Sequence, residues 1–164
     1  GNGGLMPRFV SHHRGTGNAS PKYVYRWDEM RALLDQFKDW DGDPHEAIMI
    51  EYVDPTNGHS VFKTMTFFAQ MLRPGERTLP LKQTANLLCT PLEGHGHSII
   101  GEERLDWATF DTFAKPGGYW CEHVNDSATE PAILFVASDE PTLKAVSLFQ
   151  KHGKTDDGDV IRLN

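Results

Sequence analysis

Residues 84–107 read TANLLCTPLEGHGHSIIGEERLDW. Two β-rich runs, TANLLCTPL (84–92) and HSIIGEERLDW (97–107), lie on either side of the glycine-rich reversal EGHG. The same pattern continues in both directions. AIMIEYV (47–53) leads through the turn DPTNG into SVFKTMTFFAQML (60–72), and RPGERT makes the next turn. Downstream come TFDTFAKPGG, YWCEHV (119–124) and AILFVAS (132–138), each bounded by Gly, Pro, Asn or Asp. Short strands at regular spacing with turn chemistry between them predict a mainly β domain, a sandwich or a barrel. His95 and His97 raise a question of their own. On a strand both imidazoles would share a face, which is how a metal site can begin. The flanking Gly94 and Gly96 instead predict a tight reversal with positive φ at the rim, aiming neither ring inward.

Before the strands, Trp27, Met30, Leu33, Leu34 and Phe37 recur at steps of three or four between Arg26 and Asp39. That spacing predicts one amphipathic helix, with Asp28 and Glu29 at its positive end. DWDGDP (39–44) ends it and lacks the ligand loop of a calcium-binding hand. Residues 1–21, rich in Gly, Ser, His and Asn, read as a flexible arm or linker, and His12 and His13 belong to that connector. The predicted domain with its leading helix spans residues 22–150, with PTLKAVSLFQ (141–150) as a short closing helix. KHGKTDDGDVIRLN (151–164) is expected to be a loose polar tail.

The 164 residues suit one domain, and the formal charge of −7 with no basic cluster argues against a nucleic-acid or anionic-membrane partner. No apolar run approaches the roughly 20 residues that span a bilayer. Two cysteines without a CxxC fit a reducing, cytoplasmic setting better than a disulfide scaffold. Cys89 lies at even steps from Leu81, so without a bulge both share a face. Pro91 within a strand implies an edge or a bulge beside it.

The order of turns and strands is similar to the cupin, a double-stranded β-helix related to the jelly roll. Cupins carry two motifs, a Gly before an HxH pair followed by Glu and a closing Gly, and a Gly before PxG, His and Asn. Here Gly75 and Gly94 frame the first, and the HxH slot reads Leu81-Lys82-Gln83. The Glu slot near residues 87 and 88 is Leu-Leu. In the second motif Pro116, Gly118 and Asn125 are in place, the opening Gly is Phe110, and the His slot is Cys121. The backbone-shaping residues remain while the ligand positions are changed.

A longer match is more specific. EYVDPTNG followed by LRPGERT, and later SDEPTLKAVSLF, resemble the C-terminal half of the gentisate 1,2-dioxygenase family with its salicylate and 1-hydroxy-2-naphthoate relatives. The resemblance covers roughly residues 20–152. It implies a bicupin in which three histidines of the N-terminal cupin hold Fe(II), while the C-terminal cupin is a degenerate partner that helps assembly. The chain would then be a piece of a larger, oligomeric, cytoplasmic enzyme that cleaves hydroxylated aromatic acids, and would hold no cofactor itself.

A three-histidine iron site needs neutral imidazoles with open coordination positions. Leu81 cannot ligate, Gln83 offers a weak amide oxygen, and Cys121 alone does not complete a site. Leu81, Gln83, Leu87, Cys89, Cys121 and His123 are therefore expected to line a metal-free interior, with His123 hydrogen-bonded in a small cavity. Trp120, on the opposite face, is expected to pack at an interface or against the helix. Two other readings stay open at this point. One is a standalone cupin whose apolar lining holds a small aromatic acid. The other is an active metalloenzyme using His95, His97 or His123 in a different geometry.

Overall fold

The computed structural model describes residues 24–164, so the arm at 1–21 with His12 and His13 lies outside the described residues. In chain order the elements are α1 (Trp27–Phe37), β1 (Ile48–Tyr52), β2 (Thr66–Leu72), β3 (Leu81–Gln83), β4 (Leu87–Glu93), β5 (His95–Ile100) and β6 (Glu103–Ala108), followed by β7 (Phe113–Lys115), β8 (Cys121–Asn125), β9 (Ala132–Ser138), α2 (Glu140–Ala145), β10 (Lys151–Lys154) and β11 (Val160–Arg162). They form two antiparallel sheets, ordered β1-β2-β9-β4-β7 and β11-β10-β3-β8-β5-β6. This is a cupin β-sandwich. Among the described residues no strand ladder joins one sheet to the other, so the expected cupin fold is present as an open sandwich and not as a closed barrel.

Alternation builds the core between the sheets. Leu87 and Cys89 of β4, Phe113 of β7, and Leu134 and Val136 of β9 meet Trp107 of the facing sheet. Burying such side chains contributes roughly 1.5–3 kcal/mol each. A second cluster lies on the outer side of the five-stranded sheet, where Met30 and Leu34 of α1 cover Ile48, Met71 and Ile133. Arg31 ties the helix down, its Nε donating to both Glu93 oxygens at 3.0 and 3.2 Å.

The tail is the largest correction to the sequence reading. Residues 151–164 are not loose, because β10 pairs with β3 and β11 pairs with β10 in the six-stranded sheet. The inward position of β10 is Gly153, where an added Cβ would fall 2.3 Å from the His45 ring. A strand whose inward residue is a glycine shows no apolar alternation, so the usual signal was missing. EGHG is also no reversal. Gly94 has the expected φ of +81°, but His95 already opens β5. Gly96 is there for space, since a Cβ on it would lie 2.8 Å from the Trp107 ring and 2.1 Å from the Val124 carbonyl. HSIIGEERLDW is a hairpin folded at Gly101 rather than one strand. The irregularity expected at Pro91 is present as a register shift between Pro91 and Glu93.

Phe110, in the motif position normally held by glycine, has φ +70° and is 77% exposed. A left-handed conformation costs a non-glycine residue about 1–2 kcal/mol, and exposure leaves little packing to offset it. Phe110→Gly is therefore expected to raise stability by about 1 kcal/mol in urea unfolding. Unchanged or lower stability would contradict the strain. Deleting residues 155–164, which removes β11 and uncovers β10, is expected to lower the melting temperature by several degrees, by roughly 1 kcal/mol or more. A loose tail would leave it unchanged.

Candidate functional site

The degenerate motif positions come together as the strands dictate. Leu81 of β3 and Cys121 of β8 are direct cross-strand partners, both buried between the sheets. Leu87 and Cys89 face the same interior from β4, and Gln83 lies half-buried at the end of β3. Asn125 keeps the motif's structural duty. Its side-chain amide donates to the carbonyls of Leu72, Arg73 and Glu130 at 3.2, 3.0 and 2.8 Å, clamping two loops to the end of β8.

His123, two residues beyond Cys121, is the centre of the interior and is 2% exposed. Its Nδ1 lies 2.5 Å from Ser98 Oγ, which also accepts the Trp107 indole N–H at 2.9 Å. Its Nε2 lies 3.2 Å from Lys115 Nζ. With Lys115 an ammonium donor, Nε2 accepts and the ring proton belongs on Nδ1, donated to Ser98. Phe113 packs edge-on to the ring at 6.2 Å. The backbone is pinned as well, with the His123 amide donating to Thr78 Oγ1 and the Thr78 amide donating back to the His123 carbonyl, both at 2.9 Å.

Burial, and then the neighbouring charge of Lys115, hold His123 well below its ordinary proton affinity, so the imidazole is neutral. Burial pushes the Cys89 thiol up to about 11 with Lys115 pulling the other way, and burial likewise raises Cys121 against the opposing pull of Lys115. Both cysteines are free thiols. Lys115 is only 8% exposed, and among the described residues no carboxylate bonds it.

This donor set does not fit iron. A hydrocarbon, an amide, protonated thiols and one imidazole already committed on both nitrogens leave no converging ligand group, and the amine of Lys115 occupies the same interior. Lys115, Ser98, Trp107 and Thr78 were missed in the sequence. The only hint was the alternation Phe113-Ala114-Lys115, which puts Lys115 on the same face as a core phenylalanine.

The other sequence candidates fall outside this interior. His95 and His97 lie on β5, yet the inward residues there are Gly96 and Ser98. The conclusion that neither ring aims inward stands, for a different reason from the predicted turn. His97 Nδ1 instead meets the Asp126 carboxylate at 2.8 and 3.0 Å on the outer side. Trp120 carries the ammonium groups of Lys82 and Lys154 over its ring. In DWDGDP, Asp43 accepts the amides of His45 and Glu46, a turn cap.

The buried neutral imidazole has a consequence for stability. An unfolded chain takes up a proton at His123 near pH 6.5, while the folded chain does not, so stability falls as pH drops through that region. His123→Asn, which retains a donor near the Nδ1 position, is expected to flatten the fall measured from urea midpoints between about pH 7.5 and 5. An identical slope in both proteins would contradict the assignment.

No family model matches the chain. Among curated proteins, it is 29% identical over 133 residues to 5-aminosalicylate 1,2-dioxygenase of a Comamonas species, covering 80% of this chain and 35% of that protein. It is 32% identical to gentisate 1,2-dioxygenase of a Haloferax species, covering 80% of this chain and 36% of that one. The crystal structure of salicylate 1,2-dioxygenase from Pseudaminobacter salicylatoxidans superposes with TM-score 0.70 at 28% identity, over 91% of this chain and 43% of that one. A cupin 2 domain-containing protein from Halorhodospira halophila, 16% identical with TM-score 0.51, supports the fold alone. The chain thus spans about a third of the length of the curated relatives it matches. It corresponds to a C-terminal portion of the gentisate, salicylate and 1-hydroxy-2-naphthoate dioxygenase family.

Proposed function

We propose that this domain is a metal-free, degenerate cupin of an aromatic ring-cleaving dioxygenase-like protein, serving as a structural and assembly partner rather than as its reaction centre. The observation that carries the reading is the interior itself. Leu81 and Cys121 stand opposed in the ligand slots, and the nearby imidazole is engaged by Ser98 and Lys115. In a full-length protein, Fe(II) and the aromatic acid would belong to the preceding cupin, and oxygen activation would depend on that centre.

The outer side of the five-stranded sheet supports an assembly role. Beyond the patch covered by α1, Tyr25, Tyr52, Phe62, Phe67 and Phe135 line an apolar groove of about 320 Å³. Leu88 and Met65 extend the exposed apolar surface. Such a face suits burial against further protein, and the matched part is only 35–36% of the relatives' length, so most of each relative lies outside it. We assign this groove to contacts with the companion cupin or a neighbouring subunit of a cytoplasmic oligomer. Among the described residues no helix is long and apolar enough to cross a membrane.

Anaerobic reconstitution with Fe(II), desalting and metal analysis test the reading directly. The expected result is iron far below one per chain, with no oxygen uptake on adding gentisate or 5-aminosalicylate. Stoichiometric iron with oxygen consumption would overturn it.

A further inference from the structure

The C-terminal hairpin that completes the six-stranded sheet also builds a cationic face on its outer side. Leu81, Cys121 and Gly153 point between the sheets, so the alternating neighbours Lys82, Trp120, His152 and Lys154 point outward. Register extends the row, because Arg162 is the cross-strand partner of His152, and His152 is that of Lys82. Directly opposed residues share a face of the sheet. Lys82 Nζ lies 5.3 Å and Lys154 Nζ 4.8 Å from the centre of the Trp120 ring.

The charges on this face are not balanced from within. Among the described residues, Lys82, Lys154 and Arg162 have no carboxylate partner, whereas Arg31, Arg73, Arg77 and Lys151 each have one. Glu122, the acid beyond Trp120 on the same face, is taken by both fork nitrogens of Arg77 at 3.1 and 2.9 Å. Asp156, Asp157 and Asp159 of the β10–β11 turn form no ion pair with the row. Several like charges held together in a chain of net charge −7 are mutually destabilising unless an anion joins them. Next to the row is a hollow of about 430 Å³ lined by Trp120, Lys82, His152, Gln83, Thr84 and Gln150. The volume is that of a small-ligand pocket, and the Trp120 indole N–H has no partner among the described residues.

We propose that this hollow binds a small organic oxyanion, a carboxylate or a phosphate monoester. Its apolar or ring-shaped body lies along Trp120, and Lys82, Lys154 and Arg162 supply the counter-charges. Gln83, Thr84 and Gln150 add neutral hydrogen-bonding groups at the wall. The overall negative charge disfavours an extended polyanion such as nucleic acid, for which a local patch gives too short a track. The site lies on the opposite side of the sheet from His123 and requires no metal, so it stands independently of the interior.

Calorimetric titration of the full chain with benzoate, phenyl phosphate and inorganic phosphate at low salt tests the proposal. Benzoate or phenyl phosphate is expected to bind with an affinity that falls as salt is raised, and the two arms distinguish carboxylate from phosphate recognition. Lys82→Ala/Lys154→Ala should weaken that binding about tenfold or more, and Arg162→Gln, on the terminal strand, should weaken it in the same direction. Trp120→Ala should erase the preference for phenyl phosphate over inorganic phosphate. Three outcomes would overturn the proposal: no heat with either organic anion, equal affinity in the charge variants, or binding of an acidic poly-glutamate peptide alone. Circular dichroism of each variant checks that the sheet is intact.

Discussion

The buried imidazole of His123 is held from both sides, by Ser98 at Nδ1 and by Lys115 at Nε2, inside a cluster otherwise made of Leu87, Cys89, Trp107 and Phe113. A buried polar group must find partners or cost several kcal/mol, and this one finds a complete set. The two sheets are joined through that set. Ser98 and His123 come from adjacent strands of one sheet, and Lys115 comes from the edge strand of the other. Trp107 adds its own hydrogen bond to Ser98 while filling the core. The network therefore acts as a polar rivet through an apolar sandwich, in which among the described residues no strand ladder links one sheet to the other.

The same constraint governs the chemistry. An imidazole whose nitrogens are both engaged is not a free metal ligand, and an ammonium in the interior opposes any cation placed beside it. A divalent ion about 5 Å from such a charge meets roughly 7 kcal/mol of repulsion at an effective dielectric constant near 20. Leu81 and Cys121 add no compensating donor. The ligand slots and the residues that shape the fold are separable here because they are different residues. Asn125 clamps its loops and Gly94 turns with positive φ, while Leu81, Gln83 and Cys121 occupy the slots between them.

Much of this was legible in the chain. The steps from Met30 to Phe37 marked the helix, the β-rich runs AIMIEYV and AILFVAS marked β1 and β9, and the turn residues marked the boundaries between strands. The misses share a physical cause. β10 hides its inward position behind Gly153, and β5 places Gly96 beneath Trp107, so both strands lack the apolar beat that announces a buried face. Lys115 was easily passed over because a lysine in a strand is ordinarily solvated, and only tertiary placement next to His123 gives it a role. Cys121 and His123 were placed on one face by their spacing and turned inward by the motif that the resemblance supplied, while the partners of His123 had to come from strands distant in sequence.

Nitrogen-15 NMR of the His123 imidazole, with the resonance assigned through His123→Asn, tests the central claim most directly. The ring should remain a neutral Nδ1–H tautomer to well below the ordinary histidine value, and excess Mn(II) should leave its signals sharp. Titration near the ordinary value, or paramagnetic broadening at His123, would contradict the account by showing an accessible imidazole available to a metal.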